Sequence, residues 1–328
     1  MKESLKNSYG VSYNKLWKLM IDKGVKNGQL RDGIGVSKST MAKLGRNEQV
    51  ALSVLLAICE YLGCDFGDIV EAVPNRTSSA SKSMPYYMAY ENRYKKVYAA
   101  GASLWGHSPD DEILIKALSK WVDDNGLRGK RIIEFACGEG SCGIILSKLG
   151  CIYHGVDIAP SAIKKAKAAL ADYPYATVSQ LDMVNEKPIG EYDAALDVMG
   201  FHMLVTDHDR QKYLKNVLAS LRDGAPALFF RESYRVNAYE GVVGSFDEWK
   251  QISGSDYDTP EEREIMGSDI KVSIPLVPAR ARTKDGYISE MTAAGFAVDD
   301  FVEMDINMQC PYSASIYVHK AMQAQFSK

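Results

Sequence analysis

The sequence predicts two folded parts, a small all-α bundle followed by a larger α/β domain built on a mostly parallel sheet. Three observations carry this reading. Apolar residues recur at helical spacing up to residue 73, five apolar strands alternate with helical stretches from Asp111 onward, and a glycine loop spaced G-x-G-x-x-G, Gly138 to Gly143, follows the first of those strands. Between the two parts, PNRTSSASKSM (74–84) is polar, Ser-rich and aperiodic, and reads as a linker.

With 328 residues, 46% hydrophobic and 25% charged, the chain can bury a core in each part. A net charge of -3 provides no overall field for polyanions, so any nucleic-acid contact is local. No apolar run approaches the roughly 20 residues that cross a bilayer. Met1 to Gly10 is polar and unlike a signal sequence, so the expected location is cytoplasmic, with no membrane partner. The six cysteines show neither C-x-x-C nor Cys/His ligand spacing, which points to reduced thiols and to no metal site.

In the first part, helical periodicity covers Val11 to Asp22, Gly28 to Ile34, Ser37 to Leu44, Ser53 to Leu62 and Phe66 to Val73. At its centre, NGQLRDGIGVSKSTMAKL closes one helix on Gly35 and opens the next on an N-cap Ser37, with Leu30, Val36 and Met41 at apolar positions. This helix-turn-helix, within 1–73, resembles the Cro/C1-type family of bacterial DNA-binding domains. The resemblance implies that Ser37 to Lys43 is a recognition helix, with Lys38, Ser39, Thr40 and Lys43 facing a major groove and Gln29 near a phosphate. It departs from the family at Arg31, where a small Ala is usual. A lone motif makes few phosphate contacts, so DNA recognition calls for a homodimer or a partner. A module kept only for association is the alternative.

In the second part the strands are Arg131 to Phe135, Ile152 to Val156, Thr177 to Leu181, Tyr192 to Val198 and Pro226 to Phe230. Ligands of such sheets sit beyond the carboxyl ends of the strands, which here carry Gly138, Asp157, Asp182 and Asp197. The glycine loop lets a nucleotide approach the backbone, and its spacing alone leaves nicotinamide, flavin and S-adenosylmethionine open. Asp157, roughly 20 residues further on, suits a pair of ribose hydroxyls. Asp182 suits an adenine amino group, and Met183 suits the ring face.

Glu134 stands inside the first strand, where dinucleotide-binding strands carry an aliphatic residue. EFACGEG (134–140) resembles motif I of the class I S-adenosylmethionine-dependent methyltransferases, and the resemblance continues through GVDIAPSAIKKAKA, LDM and YDAALDVMGFHML. It implies a Rossmann-like methyltransferase domain over 85–328. A reversed β-hairpin, Phe296 to Glu303 and Ala314 to His319, closes its sheet after a helix from Gly286 to Gly295. It also implies S-adenosylmethionine as cofactor, with Glu134 answering the methionine ammonium. Ala136, where the family places its first glycine, passes the sulfonium and ribose with Gly138 and Gly140. Asp157, Ile158, Asp182, Met183 and Asp197 complete that set.

The methyl acceptor is expected to be a small molecule. DNA amino-methyltransferases place a Pro-Pro-aromatic clamp after the fourth strand, and this chain has Asp197-Val-Met-Gly200-Phe-His202 there. Cys310-Pro311 reverses the Pro-Cys order of cytosine C5 enzymes. His202 is a candidate general base, with a packing role as the alternative. An aromatic lid (85–110) brings Tyr90, Tyr94 and Trp105 to the cofactor and acceptor. An insertion (232–284) carries Tyr234, Tyr239 and Trp249 beside an acid-rich stretch, which suits a neutral or cationic acceptor, whereas its Arg280 and Arg282 suit a carboxylate. The rival reading is a transcriptional regulator whose methyltransferase fold senses S-adenosylmethionine or another small ligand.

Overall fold

A computed structural model describes residues 9–45, 48–74, 84–265, 269–306 and 310–321. The chain forms two compact units, Met1–Ser83 and Met84–Lys328. Among the described residues, no helix is long and apolar enough to cross a membrane.

The first unit runs β1 (Tyr9–Ser12), α1 (Asn14–Asp22), α2 (Asn27–Gly33), α3 (Lys38–Gly45), α4 (Leu52–Leu62), α5 (Phe66–Ile69) and β2 (Glu71–Pro74). Leu16, Met20, Leu30, Leu44, Ile58 and Ile69 meet in one core, so each helix contributes its apolar stripe. The α2–α3 turn needs a left-handed residue and has Gly35 at φ +66°. Ser37 then caps α3, its Oγ accepting from the Thr40 amide at 3.2 Å. Arg31 stays at the surface of α2 in a pair with Asp32, so the larger side chain does not enter the core.

One feature differs from the helical reading. Val11 and Ser12, and Glu71 to Val73, are antiparallel strands in register Val11 with Ala72 and Ser12 with Glu71. Four-residue strands paired across some sixty positions leave no local periodicity to read. Pro74 ends β2 and is not yet linker; the rest of the expected linker, 75–83, lies outside the described residues.

The second unit opens with a short turn at Tyr86–Met88, then α6 (Ala89–Ala99), α7 (Glu112–Asp124), β3 (Arg131–Phe135), α8 (Ser141–Lys148), β4 (Ile152–Asp157), α9 (Pro160–Ala169), β5 (Ala176–Gln180) and β6 (Ala194–Val198). It continues through α10 (Asp207–Ser220), β7 (Pro226–Ser233), α11 (Phe246–Ser253), β8 (Glu261–Glu264), β9 (Lys271–Ile274), α12 (Lys284–Ala294), β10 (Phe296–Ile306) and β11 (Cys310–Lys320). Seven strands form one sheet in the order β10-β11-β7-β6-β3-β4-β5. The five from β5 to β7 are parallel, and β11 enters antiparallel to both β7 and β10, which gives the expected reversed closing hairpin. The order reverses at β3, whose neighbours are β4 on one side and β6 on the other, and that switch point is where a crevice opens.

Alternation along β3 sends Ile133 and Phe135 into one helix layer and Ile132 into the other. Glu134 shares the Ile132 side and meets Tyr153 of β4 there. The insertion contributes α11 and the β8–β9 hairpin. Its strand β8, EERE, is charged throughout and carries no alternation that the sequence could display.

Candidate active site

A cavity of about 480 Å³ lies at the carboxyl ends of β3, β6 and β7. From β3 and its loop come Glu134, Ala136, Cys137 and Gly138; from the β6 end Val198, Met199 and Met203; from β7 Arg231. Tyr90, Tyr94, Trp105, His107 and Asp111 close it from the lid side. Among the described residues four non-glycines have positive φ, and three of them are on this wall: Ala136 (+52°), Met199 (+61°) and Arg231 (+59°). Each costs about 1–2 kcal/mol. Three adjacent strands therefore hold strain at the same cavity, a pattern found where geometry serves a ligand.

Glu134 is buried, and burial pushes its carboxyl up to about 8 against the lowering hydrogen bond from the Tyr153 hydroxyl. Gly138 has φ +51°, and a Cβ there would meet the Tyr94 hydroxyl at 3.0 Å, so the lid rests directly on the loop. Asp157 holds that loop from beneath, accepting from the Gly138 amide at 2.9 Å and the Ala159 amide at 2.8 Å. Burial raises it to about 6. The sequence reading passes over Glu139. This buried carboxylate accepts from the Tyr98 hydroxyl (2.7 Å) and the Trp105 and Gly106 amides (2.9 and 2.7 Å), tying the glycine loop to the end of the lid.

The remaining cofactor residues lie off the cavity wall. Asp182 accepts from the Tyr87 hydroxyl at 3.2 Å and from Asn185 Nδ2 at 2.9 Å. Met183 belongs to the core on that face, with Ile158 packed against it. Asp197 accepts from the Gly200 amide at 2.6 Å and from the Tyr213 hydroxyl, and burial raises its carboxyl well above the usual range. Gly140 opens α8 behind the wall.

His202 is not on the wall. Its Nδ1 shares a 2.8 Å hydrogen bond with Glu232 Oε2, and the same oxygen accepts the His202 amide at 2.7 Å. Burial pushes His202 down to about 4 and Glu232 up to about 7, so the ring stays neutral. The structure gives it the packing place rather than a catalytic one.

Of the expected acceptor residues, only Trp105 reaches the cavity, with the Arg93 guanidinium 4.7 Å from its ring centre. Tyr234 donates to Glu303, Tyr239 is exposed, and Trp249 Nε1 donates to the Tyr257 hydroxyl. Arg280 and Arg282, expected to meet a carboxylate, are consumed elsewhere. Arg280 is fully buried and donates to Asp207 and to the carbonyls of Val205 and Gly241, while Arg282 pairs with Glu240. They fasten the insertion to the start of α10. The arginine on the wall is Arg231. The rule that singled out residues past the first four strands reaches it at the fifth, beyond the apolar run of β7.

In the first unit, Lys38, Ser39 and Lys43 are exposed along α3, while Thr40 is half-buried and bonded to the Ser37 hydroxyl. Gln29 is exposed, and its Oε1 caps the Lys26 amide at 2.8 Å.

Family models agree with both units. One for the Cro/C1-type HTH DNA-binding domain matches residues 15–75, and one for a methyltransferase domain matches residues 133–227. The chain joins a Cro/C1-type domain to a methyltransferase domain. Among solved structures, the transcriptional regulator VanUg is 64% identical over 23% of this chain and 99% of its own, with a TM-score of 0.22. The methyltransferase domain resembles magnesium protoporphyrin IX methyltransferase (ChlM) from Synechocystis PCC 6803 with bound SAM, at 12% identity over 74% of this chain and 100% of that one, TM-score 0.50. At that identity the likeness is one of fold. No match emerged among curated proteins.

Proposed function

We propose that the second unit is an S-adenosylmethionine-dependent methyltransferase acting on a small molecule. The observation that carries this is the cavity against Glu134, Ala136 and Gly138, an acid and a side-chain-free backbone at the switch point of a methyltransferase sheet. These residues fit the methionine half of the cofactor: Glu134 borders the cavity, where an ammonium would draw its buried, neutral carboxyl into the ionised form, and at Gly138 any side chain would press on the Tyr94 hydroxyl. The nucleoside half would fall to Asp157, Ile158, Asp182, Met183, Gly140 and Asp197, with Tyr90 and Tyr94 as aromatic walls. Tyr94 of α6 covers Gly138 and Tyr87 of the preceding turn holds Asp182, so an entering nucleoside would have to displace both side chains. The bound cofactor supplies an activated methyl group for in-line displacement. The chain's part is alignment and exclusion of water.

A small acceptor is favoured because the turn after β6 buries Phe201 and His202 and offers no base clamp. Titration calorimetry with S-adenosylhomocysteine tests the reading: stoichiometric binding that weakens in Asp157→Ala supports it, and absence of heat removes it. The exposed face of α3 supports a DNA-binding role for the first unit, and a cytoplasmic location suits both activities. A gel shift with and without S-adenosylmethionine separates an enzyme carrying a DNA-binding domain from a ligand-sensing regulator.

A further inference from the structure

We propose that Arg231 and His107 form a carboxylate-binding subsite on the cavity wall, taking the carboxylate of the methyl acceptor or that of the cofactor's methionine half. The inference deepens the methyltransferase reading and, for its ligand, rests on it.

Arg231 is the one arginine or lysine on the wall among the described residues, and it is only 5% exposed. Its position is built. Between Ala314 and Ile316 of β11 the partners on β7 step from Glu232 to Phe229, an extra residue on the β7 side. That bulge contains Arg231 in the left-handed conformation, and bulges re-aim side chains. The guanidinium Nη1 reaches Asp111 Oδ2 at 2.7 Å and His107 Nδ1 at 3.3 Å. Nη2 lies 3.3 Å from Asp111 Oδ1, and Nε has no partner among the described residues.

A guanidinium can only donate, so the His107 nitrogen facing it carries the lone pair and the ring proton sits on Nε2. His107 is thereby a second donor on the wall and not a base. Asp111 takes one hydrogen of each terminal nitrogen and compensates the charge of Arg231, which leaves one Nη2 hydrogen; Glu134 is held in its neutral form nearby, Glu139 is occupied by the lid amides, and Glu264 is the remaining acid on the wall. A cationic acceptor would meet the guanidinium here. An anionic oxygen would have the remaining Nη2 hydrogen of Arg231 and the Nε2 hydrogen of His107 as donors.

The test uses the full chain and probe pairs that differ only in the charged group. S-adenosylhomocysteine is compared with its decarboxylated analogue, S-adenosyl-3-thiopropylamine. With S-adenosylhomocysteine present, 4-hydroxybenzoate is compared with 4-hydroxybenzamide. Wild type should prefer the carboxylate in at least one pair by tenfold or more, and the pair showing it identifies whether cofactor or acceptor supplies the group. Arg231→Gln should abolish the preference, and Arg231→Lys should keep part of it. Asp111→Asn keeps the N-cap of α7 and removes the internal carboxylate, so the preference should rise threefold or more; this variant decides the matter where Arg231→Gln does not fold. No preference in either pair, preference retained in Arg231→Gln, or none gained in Asp111→Asn overturns the subsite and leaves Arg231 as a tie between β7 and α7. Failure of wild type to bind S-adenosylhomocysteine would instead defeat the methyltransferase reading, while the aromatic pair, titrated alone, still decides the subsite.

Discussion

The hydroxyl of Tyr87 donates to Asp182 across 95 positions of sequence, 3.2 and 3.3 Å from the two carboxylate oxygens. The carboxylate proposed for an adenine amino group is therefore held by the lid. Tyr87→Phe removes a competing bond worth about 1 kcal/mol, which corresponds to about fivefold in affinity. S-adenosylhomocysteine should bind the variant more tightly by that order in calorimetry. Unchanged or weaker binding would mean that the tyrosine does not stand in the nucleoside's way.

Stability of the methyltransferase domain should fall as pH rises from 6.5 to 8. Glu134 and Glu232, raised by burial to about 8 and about 7, keep protons that the unfolded chain releases near 4.5. Their contribution is complete below pH 4.5 and is lost as pH climbs through those folded values. His107 and His202, pushed down to about 4, work the other way, complete above 6.5 and lost as pH drops through 4. The two sets oppose each other at acid pH, and above 6.5 the raised carboxyls, with buried Asp197 adding in the same direction, set the slope. Glu134→Gln should make it shallower in calorimetric melts, leaving the part due to Glu232; the same slope in that variant would refute the assignment.

Arg210 should be the costliest cation to remove. It is fully buried, makes two 2.7 Å bonds to Glu290, donates to the carbonyls of Phe201 and Leu204, and lies 3.8 Å from the Phe201 ring centre. Arg210→Met strands Glu290 and should destabilise the domain by about 3–5 kcal/mol. Arg210→Met with Glu290→Leu should recover much of this in urea melts. A double variant no more stable than the single one would show that the ion pair is not what is lost.

For the first unit, Lys38→Ala with Lys43→Ala should weaken DNA binding by a similar factor on every sequence. The slope of log affinity against log salt should drop by about 2, one phosphate contact for each lysine. Fluorescence anisotropy against the DNA upstream of the protein's own coding region measures this. An unaltered slope would place both side chains away from the backbone.

The sheet and its switch point were legible because β3, β4, β6 and β7 are apolar runs ending on residues that mark ligand sites. Of the four strand-end residues that rule singles out, Gly138 lines the cavity, whereas Asp157, Asp182 and Asp197 lie behind it; Glu134 and Ala136, which do line it, follow from the resemblance to motif I. Other elements carried no such mark. The β1–β2 pair is too short and too distant in sequence, and β8 pairs through a run of charges. Arg231 faces the cavity only because a bulge turns its backbone left-handed, which composition does not encode. Arg280 and Arg282 looked available for a ligand because sequence does not reveal that Asp207 and Glu240 stand beside them.

The pairing of β1 with β2 brings the chain into and out of the first unit at neighbouring points on a single edge. A module with adjacent entrance and exit can be grafted ahead of an unrelated enzyme without rerouting either polypeptide. That geometry explains in physical terms how a compact Cro/C1-type domain and a methyltransferase domain can share one gene product while each keeps its own interior.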